Sequence, residues 1–204
     1  MLYPLFMILA DYFGMNIQAA ATALNRKYSE QKWHYFCDPT LAFTDPFYIR
    51  FLELWRAKAG TRPMPTRSEM TPRDLKDFLR NIVVFQRDSA NPSRYSWRVI
   101  GTALTEILGH NTGKTVEESV PPSLLSRWVE CGDLVLDGGQ PLRFLGRVHL
   151  QGREYLDAEH LYAPLANDGG EPTYIMGLCR YTPRRFADDE SWESQIASLA
   201  EALV

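Results

Sequence analysis

Apolar and aromatic residues recur every three or four positions after Asp45, a spacing that predicts an amphipathic helix. Asp45 can cap this helix, Pro46 suits its first position, and Gly60 marks its end. We expect the apolar face to cover one side of a sheet, and a dimer contact through the same helix is the alternative. The bulky side chains of that face are Phe47, Tyr48, Phe51, Leu52 and Trp55.

Five later segments show the short apolar runs or the alternation typical of β-strands. Glycines end two helical segments between the second and third strands, and tight loops join the last three strands as an antiparallel meander. The predicted fold class is α+β, with a five-stranded antiparallel curved sheet and helices on one face. We expect the strands at 82–86, 95–99, 142–150, 155–165 and 173–181, and helices near 71–79, 102–108 and 121–136.

Composition and charge exclude several classes of protein. The 204 residues carry a net charge of -3 and no run of Lys or Arg, so we expect no nucleic-acid partner. The three cysteines, Cys37, Cys131 and Cys179, are widely separated and odd in number. They indicate reduced, buried thiols of a cytoplasmic protein, with no disulfide framework and no metal site.

The two ends of the chain have weaker patterns than its middle. Residues 1–10 are apolar, but they lack a basic start and Asp11 interrupts them, so neither export nor membrane insertion is expected. Residues 22–44 show no clear period, which indicates a connecting segment. Acidic residues at 188–190 precede an apolar stripe that predicts a C-terminal helix. Candidates for dimer or partner contacts on the two flanking helices are Phe47, Phe51, Trp55, Trp192, Ile196 and Leu199.

Short motifs follow one another along the middle of the chain: Arg98-Val99-Ile100-Gly101-Thr102, Leu108-Gly109, Thr112-Gly113-Lys114, Ala163-Pro164-Leu165 and Asp168-Gly169. Their order and spacing resemble a bacterial family of stand-alone PAS-like proteins, long catalogued as a domain of unknown function. The resemblance implies a PAS-like domain at 45–183 that includes the leading amphipathic helix. Residues 1–44 would be an N-terminal extension, partly helical or disordered, and residues 184–204 a C-terminal helix.

The same resemblance implies a sensory or regulatory module with no catalytic residues. Such a module would act as a signalling adaptor through small-ligand binding, protein contacts or both, without an effector domain of its own. We expect a homodimer and a signalling protein as its partners, since two amphipathic helices flank the domain.

Two cofactors known from PAS relatives are disfavoured. Flavin-binding photosensors carry a reactive cysteine in the short helices after the second strand, and residues 102–119 contain none. Haem-binding relatives commonly supply a histidine from the long helix, and residues 121–136 contain none. No cofactor is identified, and the expected ligand is a small organic molecule of unknown identity.

A curved sheet over helices can enclose a ligand pocket. Alternation along the strands and aromatic content select the candidates for its lining, and the alternative is that these residues only fill the core. They are Trp97, Val99, Leu108, Trp128, Phe144, His160, Tyr162 and Met176.

An enzyme and a purely structural dimer are the rival interpretations. Tyr155, Asp157, Glu159 and His160 cluster in one strand and could support acid/base chemistry in the sheet cavity. Alternation weakens that case, because it places the first three on one face and His160 on the other. We therefore predict no catalytic residue. A structural dimer with a filled core is distinguished from a sensor by whether a ligand is retained.

Overall fold

The computed structural model describes residues 14–149, 152–184 and positions 194, 196 and 197. Its helices are α1 (Ile17–Glu30), α2 (Pro46–Ala59), α3 (Thr102–Leu108) and α4 (Pro122–Gly138). Its strands are β1 (Tyr35–Asp38), β2 (Ile82–Arg87), β3 (Tyr95–Ile100), β4 (Leu142–Arg147), β5 (Leu156–Ala166) and β6 (Pro172–Pro183). This content confirms the predicted α+β class.

Helix α2 begins and ends at its capping residues. The Asp45 carboxylate accepts a hydrogen bond from the Phe47 backbone N–H at 2.8 Å, and Pro46 occupies the first turn. At the other end, the Gly60 N–H donates to the Arg56 carbonyl, and Gly60 has a φ of 61°, which glycine adopts without strain. Because these signals are local, the sequence predicts both bounds of the helix.

All the strands join one antiparallel sheet in the order β1-β4-β5-β6-β2-β3. The sheet has six strands, one more than predicted, because β1 pairs with β4. Strand β1 and the second half of α1 fall within residues 22–44, for which the sequence predicts only a connecting segment; that prediction is wrong. Every residue of β1 is buried, so the strand lacks the apolar and polar alternation that would have revealed it.

Helices and turns cover both faces of the sheet. On one face, α2 and residues 64–78 pack over β2, β5 and β6. On the other face, α1, α3 and α4 pack over the same sheet. The sequence predicts helices on one face only, whereas the structure has a layer on each face. The last seven residues of β5 point alternately to the two faces and are all buried, so each face needs an apolar cover.

A β-bulge in the β2–β3 pair changes the direction of the β3 side chains. The register shifts between Val84 and Phe85, which pair with Val99 and Trp97 respectively. Arg98 is therefore the additional residue of the bulge. As a consequence, Trp97 packs on the α4 side of the sheet and Val99 on the α2 side.

Three further predicted elements differ from the structure or lie outside it. The segment 71–79 forms turns that lead into the 3-10 turn Leu79–Asn81, in place of a short helix. Strand β4 ends at Arg147, before 150, because its partner β5 begins at Leu156. The predicted C-terminal helix lies outside the described residues except at 194, 196 and 197, which are helical. Among the described helices, none is long and apolar enough to cross a bilayer.

The Asn25 side chain closes the outer edge of β1. Its Nδ2 donates to the Cys37 carbonyl at 2.8 Å, and its Oδ1 accepts from the Cys37 N–H at 2.7 Å. The backbone groups of an edge strand would otherwise be open to pairing with another chain. One side-chain amide thus attaches α1 to the sheet.

We expect Asn25→Ala to lower the free energy of unfolding by about 1–2 kcal/mol, because the substitution leaves both Cys37 backbone groups without a protein partner. Urea denaturation measures the loss, and amide exchange at Cys37 should become faster. The matched control is Arg26→Ala, since Arg26 is an exposed neighbour on the same helix. Equal stability of the two variants would contradict the role of Asn25.

Candidate functional site

A small cavity of about 40 Å³ lies between α4 and the sheet. At roughly 10–15 Å³ for each water-sized position, it accommodates about three such positions. Its wall combines side chains from α3, α4, β5 and β6 with residues of β1 and of the chain at the end of β4. They are Tyr35, Leu108, Arg127, Trp128, Cys131, Arg147, Val148, His149, Ala158, His160, Tyr162 and Tyr181.

Half of the predicted pocket residues line this cavity, namely Leu108, Trp128, His160 and Tyr162. Trp97 and Phe144 are buried on the same side of the sheet but do not line it. Val99 and Met176 pack in the opposite layer, so they do not reach this cavity. The bulge reverses Val99, and the centre of β6 is buried on both faces, so no alternation indicates the direction of Met176.

Sequence patterns miss most of the polar side chains in the wall. Arg127 lies in helical step with Leu124 and Cys131, and all three are buried, so the spacing could have indicated a buried arginine. Tyr35 belongs to the strand that the sequence does not reveal, and His149 lies beyond the end of β4. These side chains meet only through the sheet topology.

Two tyrosine hydroxyls meet one nitrogen of a buried histidine. The Tyr35 hydroxyl lies 2.8 Å and the Tyr162 hydroxyl 3.2 Å from His160 Nδ1. His160 Nε2 is buried and has no hydrogen-bond partner among the described residues. A hydroxyl that donates to Nδ1 leaves the proton of a neutral ring on Nε2, which is then a donor within the wall of the cavity.

Burial holds these three groups in their neutral forms. It raises the pKa of the Tyr35 and Tyr162 hydroxyls well above the usual value, with nearby phenols and thiols adding to the effect. Burial also lowers the pKa of His160 to about 3, and the positive charge of Arg127 adds a smaller effect in the same direction. At neutral pH the site therefore contains two hydroxyls and an uncharged imidazole.

Arg127 brings a buried positive charge to the same cavity. Its side chain is 7% exposed, and Nη1 has no hydrogen-bond partner among the described residues. The guanidinium carbon lies 4.8 Å from the centre of the Tyr35 ring, which is a cation–π contact. His149 lines the same wall with another buried nitrogen, Nε2, that has no partner in the described part of the chain. The residues of the wall thus include three buried side-chain nitrogens without a partner among the described residues: Arg127 Nη1, His149 Nε2 and His160 Nε2.

The carboxylates beside His160 in the sequence face away from the cavity. Glu159 Oε1 accepts a hydrogen bond from Arg143 Nε at 2.7 Å, and Asp157 Oδ1 accepts one from Arg184 Nε at 3.3 Å. The predicted separation of His160 from these carboxylates is confirmed by the alternation of β5. This strand therefore does not form a His–carboxylate pair directed at one substrate.

The structure also places the other predicted chemistry and contact residues. Cys37, Cys131 and Cys179 are buried, as predicted, and their thiols are free. Within residues 14–149 and 152–184, no three His, Cys, Asp or Glu side chains come together to hold a metal ion.

The aromatic residues of α2 that were candidates for dimer contacts pack within the chain. Phe47, Phe51 and Trp55 are buried in the layer that covers the sheet. Ile196 is helical and partly buried, and Trp192 and Leu199 lie outside the described residues. A partner that approaches α2 would therefore meet its outer side.

Comparison with known proteins identifies one matching family. A family model described as a PAS domain matches residues 44–180. No curated protein matches the chain in sequence.

Several solved structures are similar to parts of this chain. The structure of an RNA-binding light-oxygen-voltage receptor is 16% identical, with a TM-score of 0.45 over 83% of this chain and 44% of that one. A sensory box histidine kinase/response regulator from Burkholderia thailandensis E264 is 14% identical, with a TM-score of 0.38 over 64% of this chain and 99% of that one. The light state of the blue-light photoreceptor Aureochrome1 LOV is 11% identical, with a TM-score of 0.37 over 63% and 98%. This chain spans less than half the length of the RNA-binding receptor.

The buried His160 ring predicts a pH dependence of stability. Its pKa is about 3 in the folded chain, against roughly 6.5 for an unfolded histidine. Below pH ~6.5 the unfolded chain binds the additional proton, so the free energy of unfolding falls as the pH falls toward 3. His149 acts in the same direction, because burial lowers its pKa to about 4.

The free energy of unfolding falls between roughly pH 6 and pH 5, and we expect this fall to be about 1 kcal/mol smaller in His160→Gln. Urea denaturation at about pH 7, 6 and 5 measures the slope. His110→Gln is the control, because it makes the same substitution at an exposed side chain. Because His149 still contributes, part of the slope should remain in His160→Gln. A slope that is as steep as that of the unsubstituted chain would show that the His160 ring is not a buried neutral group.

Proposed function

The chain belongs to the PAS domain family, and on that premise we propose that it is a sensory or regulatory module that acts as a signalling adaptor. It would respond to a small ligand in the cavity between α4 and the sheet. The response would be a change in the position of the N-terminal segment, which consists of α1 and β1 (residues 17–38). One observation carries the proposal. Tyr35 lines the cavity and contacts His160 at 2.8 Å, although it lies outside the residues 44–180 that match the family.

Contacts behind Tyr35 connect the cavity to helix α1. The Tyr28 hydroxyl lies 3.0 Å from Cys131 Sγ, and Cys131 is itself part of the cavity wall. Asn25 binds both backbone groups of Cys37, two residues after Tyr35. A ligand that displaces Tyr35 or Cys131 would change how firmly α1 and β1 dock. The chain would then have two states, one with α1 and β1 docked on the domain and one with them released. The ligand would shift the populations of these states according to the difference between its affinities for them.

Two residues of β4 determine how Tyr35 reaches the cavity. Gly146 is opposite Tyr35 in the β1–β4 register, and a Cβ at this glycine would overlap the tyrosine ring. Phe144 stacks on the same ring with centroids 5.6 Å apart and an interplanar angle of 16°. The Tyr35 ring is thus held in one orientation. This suits a side chain through which ligand binding in the cavity would affect β1.

A signalling adaptor needs a surface for protein contacts, and the homodimer and the signalling partner stay predictions. Ile49 on α2 and Leu79 are apolar side chains that such a partner could contact, since they are 39% and 43% exposed. The free thiols of Cys37, Cys131 and Cys179 support a reducing compartment, so the cytoplasm is part of the proposal.

Native mass spectra test the ligand and the dimer together. We expect the purified full chain to be dimeric and to carry a discrete mass that the denaturing spectrum lacks. Ala158→Val should abolish that mass, because Ala158 lines the cavity and a larger side chain fills it. The control is Ala163→Val, which adds the same atoms on the opposite face of β5. A chain without retained mass would favour a filled core, and a mass that survives Ala158→Val would locate the ligand elsewhere.

Hydrogen exchange tests whether the cavity controls the N-terminal segment. Tyr35→Phe removes only the hydroxyl that contacts His160, and we expect amide exchange in α1 and β1 to accelerate by about fivefold, equivalent to one lost hydrogen bond. Tyr48→Phe is the matched control, because its buried hydroxyl donates to the Glu159 carbonyl at 2.6 Å in the opposite layer. Exchange in α1 and β1 that responds equally to both variants would contradict the coupling.

A further inference from the structure

We propose that the cavity binds a small monocarboxylate, held between the Arg127 guanidinium and the His160 ring. This inference rests on the proposed function, because it names the chemical class of the ligand that the same cavity would sense. Three properties of the cavity lead to it: its charge, its hydrogen-bond donors and its size.

Arg127 brings to the cavity wall a buried positive charge that no acidic residue of the described wall neutralises. Arg127 is buried, its Nη1 has no hydrogen-bond partner in the described residues, and no described residue of the wall is acidic. Asp38, another buried charged side chain, is instead paired with Arg143 at 3.0 Å. Burying a charge without a partner is costly, so an anion that enters beside Arg127 gains a strong interaction there.

The hydrogen-bonding groups at the wall match an acceptor. The tyrosine hydroxyls already contact His160 Nδ1, and the opposite ring nitrogen, Nε2, is without a partner among the described residues. Since Nε2 carries the ring proton in that arrangement, it donates, as does Arg127 Nη1. A carboxylate has two oxygens that only accept, so one can bind the guanidinium and the other the imidazole N–H.

The size of the cavity limits the ligand to a few atoms. A volume of about 40 Å³ corresponds to about three water-sized positions, which suits formate or acetate. The side chains of Leu108, Trp128 and Ala158 form an apolar part of the wall, where a methyl group can pack. Aromatic acids and dicarboxylates exceed this volume, so we expect the site to exclude them.

The test is a titration of the full chain with formate, acetate and acetamide at constant ionic strength in a chloride buffer. Acetamide has the shape of acetate without its charge. We expect acetate to bind at least about tenfold more tightly than acetamide, as a charge-assisted pair with arginine requires. Calorimetry gives the affinities, and the ¹⁵N shift of the His160 ring should change on binding acetate but not on adding sodium chloride.

Variants separate the anion site from a general loss of structure. Arg127→Met should weaken acetate binding by at least about tenfold. Arg98→Met is the matched control, because Arg98 is exposed on β3, and it should leave the affinity unchanged. If Arg127→Met does not fold, Ala158→Val tests the same site, since it fills the cavity and keeps the arginine; it too should abolish binding.

Three outcomes would overturn the carboxylate site: equal affinities for acetate and acetamide, unchanged acetate affinity in Arg127→Met, or no binding of any carboxylate. None of them decides the proposed function, which the mass of a retained ligand and the exchange of the Tyr35→Phe variant test separately. A sensor of a neutral molecule would retain a mass and show no preference for acetate.

Discussion

The contact between the Tyr35 hydroxyl and His160 Nδ1 is the interaction on which the cavity depends. It brings a side chain of the N-terminal strand to the centre of the sheet. It also occupies Nδ1 of the ring, so Nε2 is the ring nitrogen that has no partner among the described residues. Burial raises the pKa of Tyr35 and lowers that of His160, so both partners are neutral at pH 7. Positive charge in the wall therefore comes from arginine, foremost the buried Arg127.

Arginines on the two faces of the sheet differ in whether they are paired with carboxylates. On the α2 side, Arg143 is bound by both Asp38 and Glu159 at 3.0 and 2.7 Å, which satisfies the buried carboxylate and attaches the N-terminal segment to β4. On the α4 side, Arg127 has no such partner among the described residues. A buried ion pair is a structural feature, whereas a buried cation beside a cavity is a feature expected of a binding site.

Part of this site lies outside the matched family domain. The match begins at residue 44, while α1, β1 and Tyr35 precede it. Helical spacing in α4 could have indicated that Arg127 is buried, and the sequence did select His160 and Tyr162. Tyr35 had no signal of its own, because a strand buried on all sides shows no alternation. Half of the residues that the sequence selected line the cavity, and the selection missed the tyrosine that joins them to the N-terminal segment.

The sequence by itself determined the features that depend on neighbours within a few positions. These are the helix cap at Asp45, the helix end at Gly60, and the strands before and after α3 and α4. Only the tertiary structure decided which side of the sheet each strand residue faces. One additional residue at Arg98 reverses Val99, and β1 exists as a strand because β4 supplies its hydrogen-bond partners. The physical reason is that pairing and burial are long-range properties, and a two-sided core removes the periodicity through which a sequence would report them.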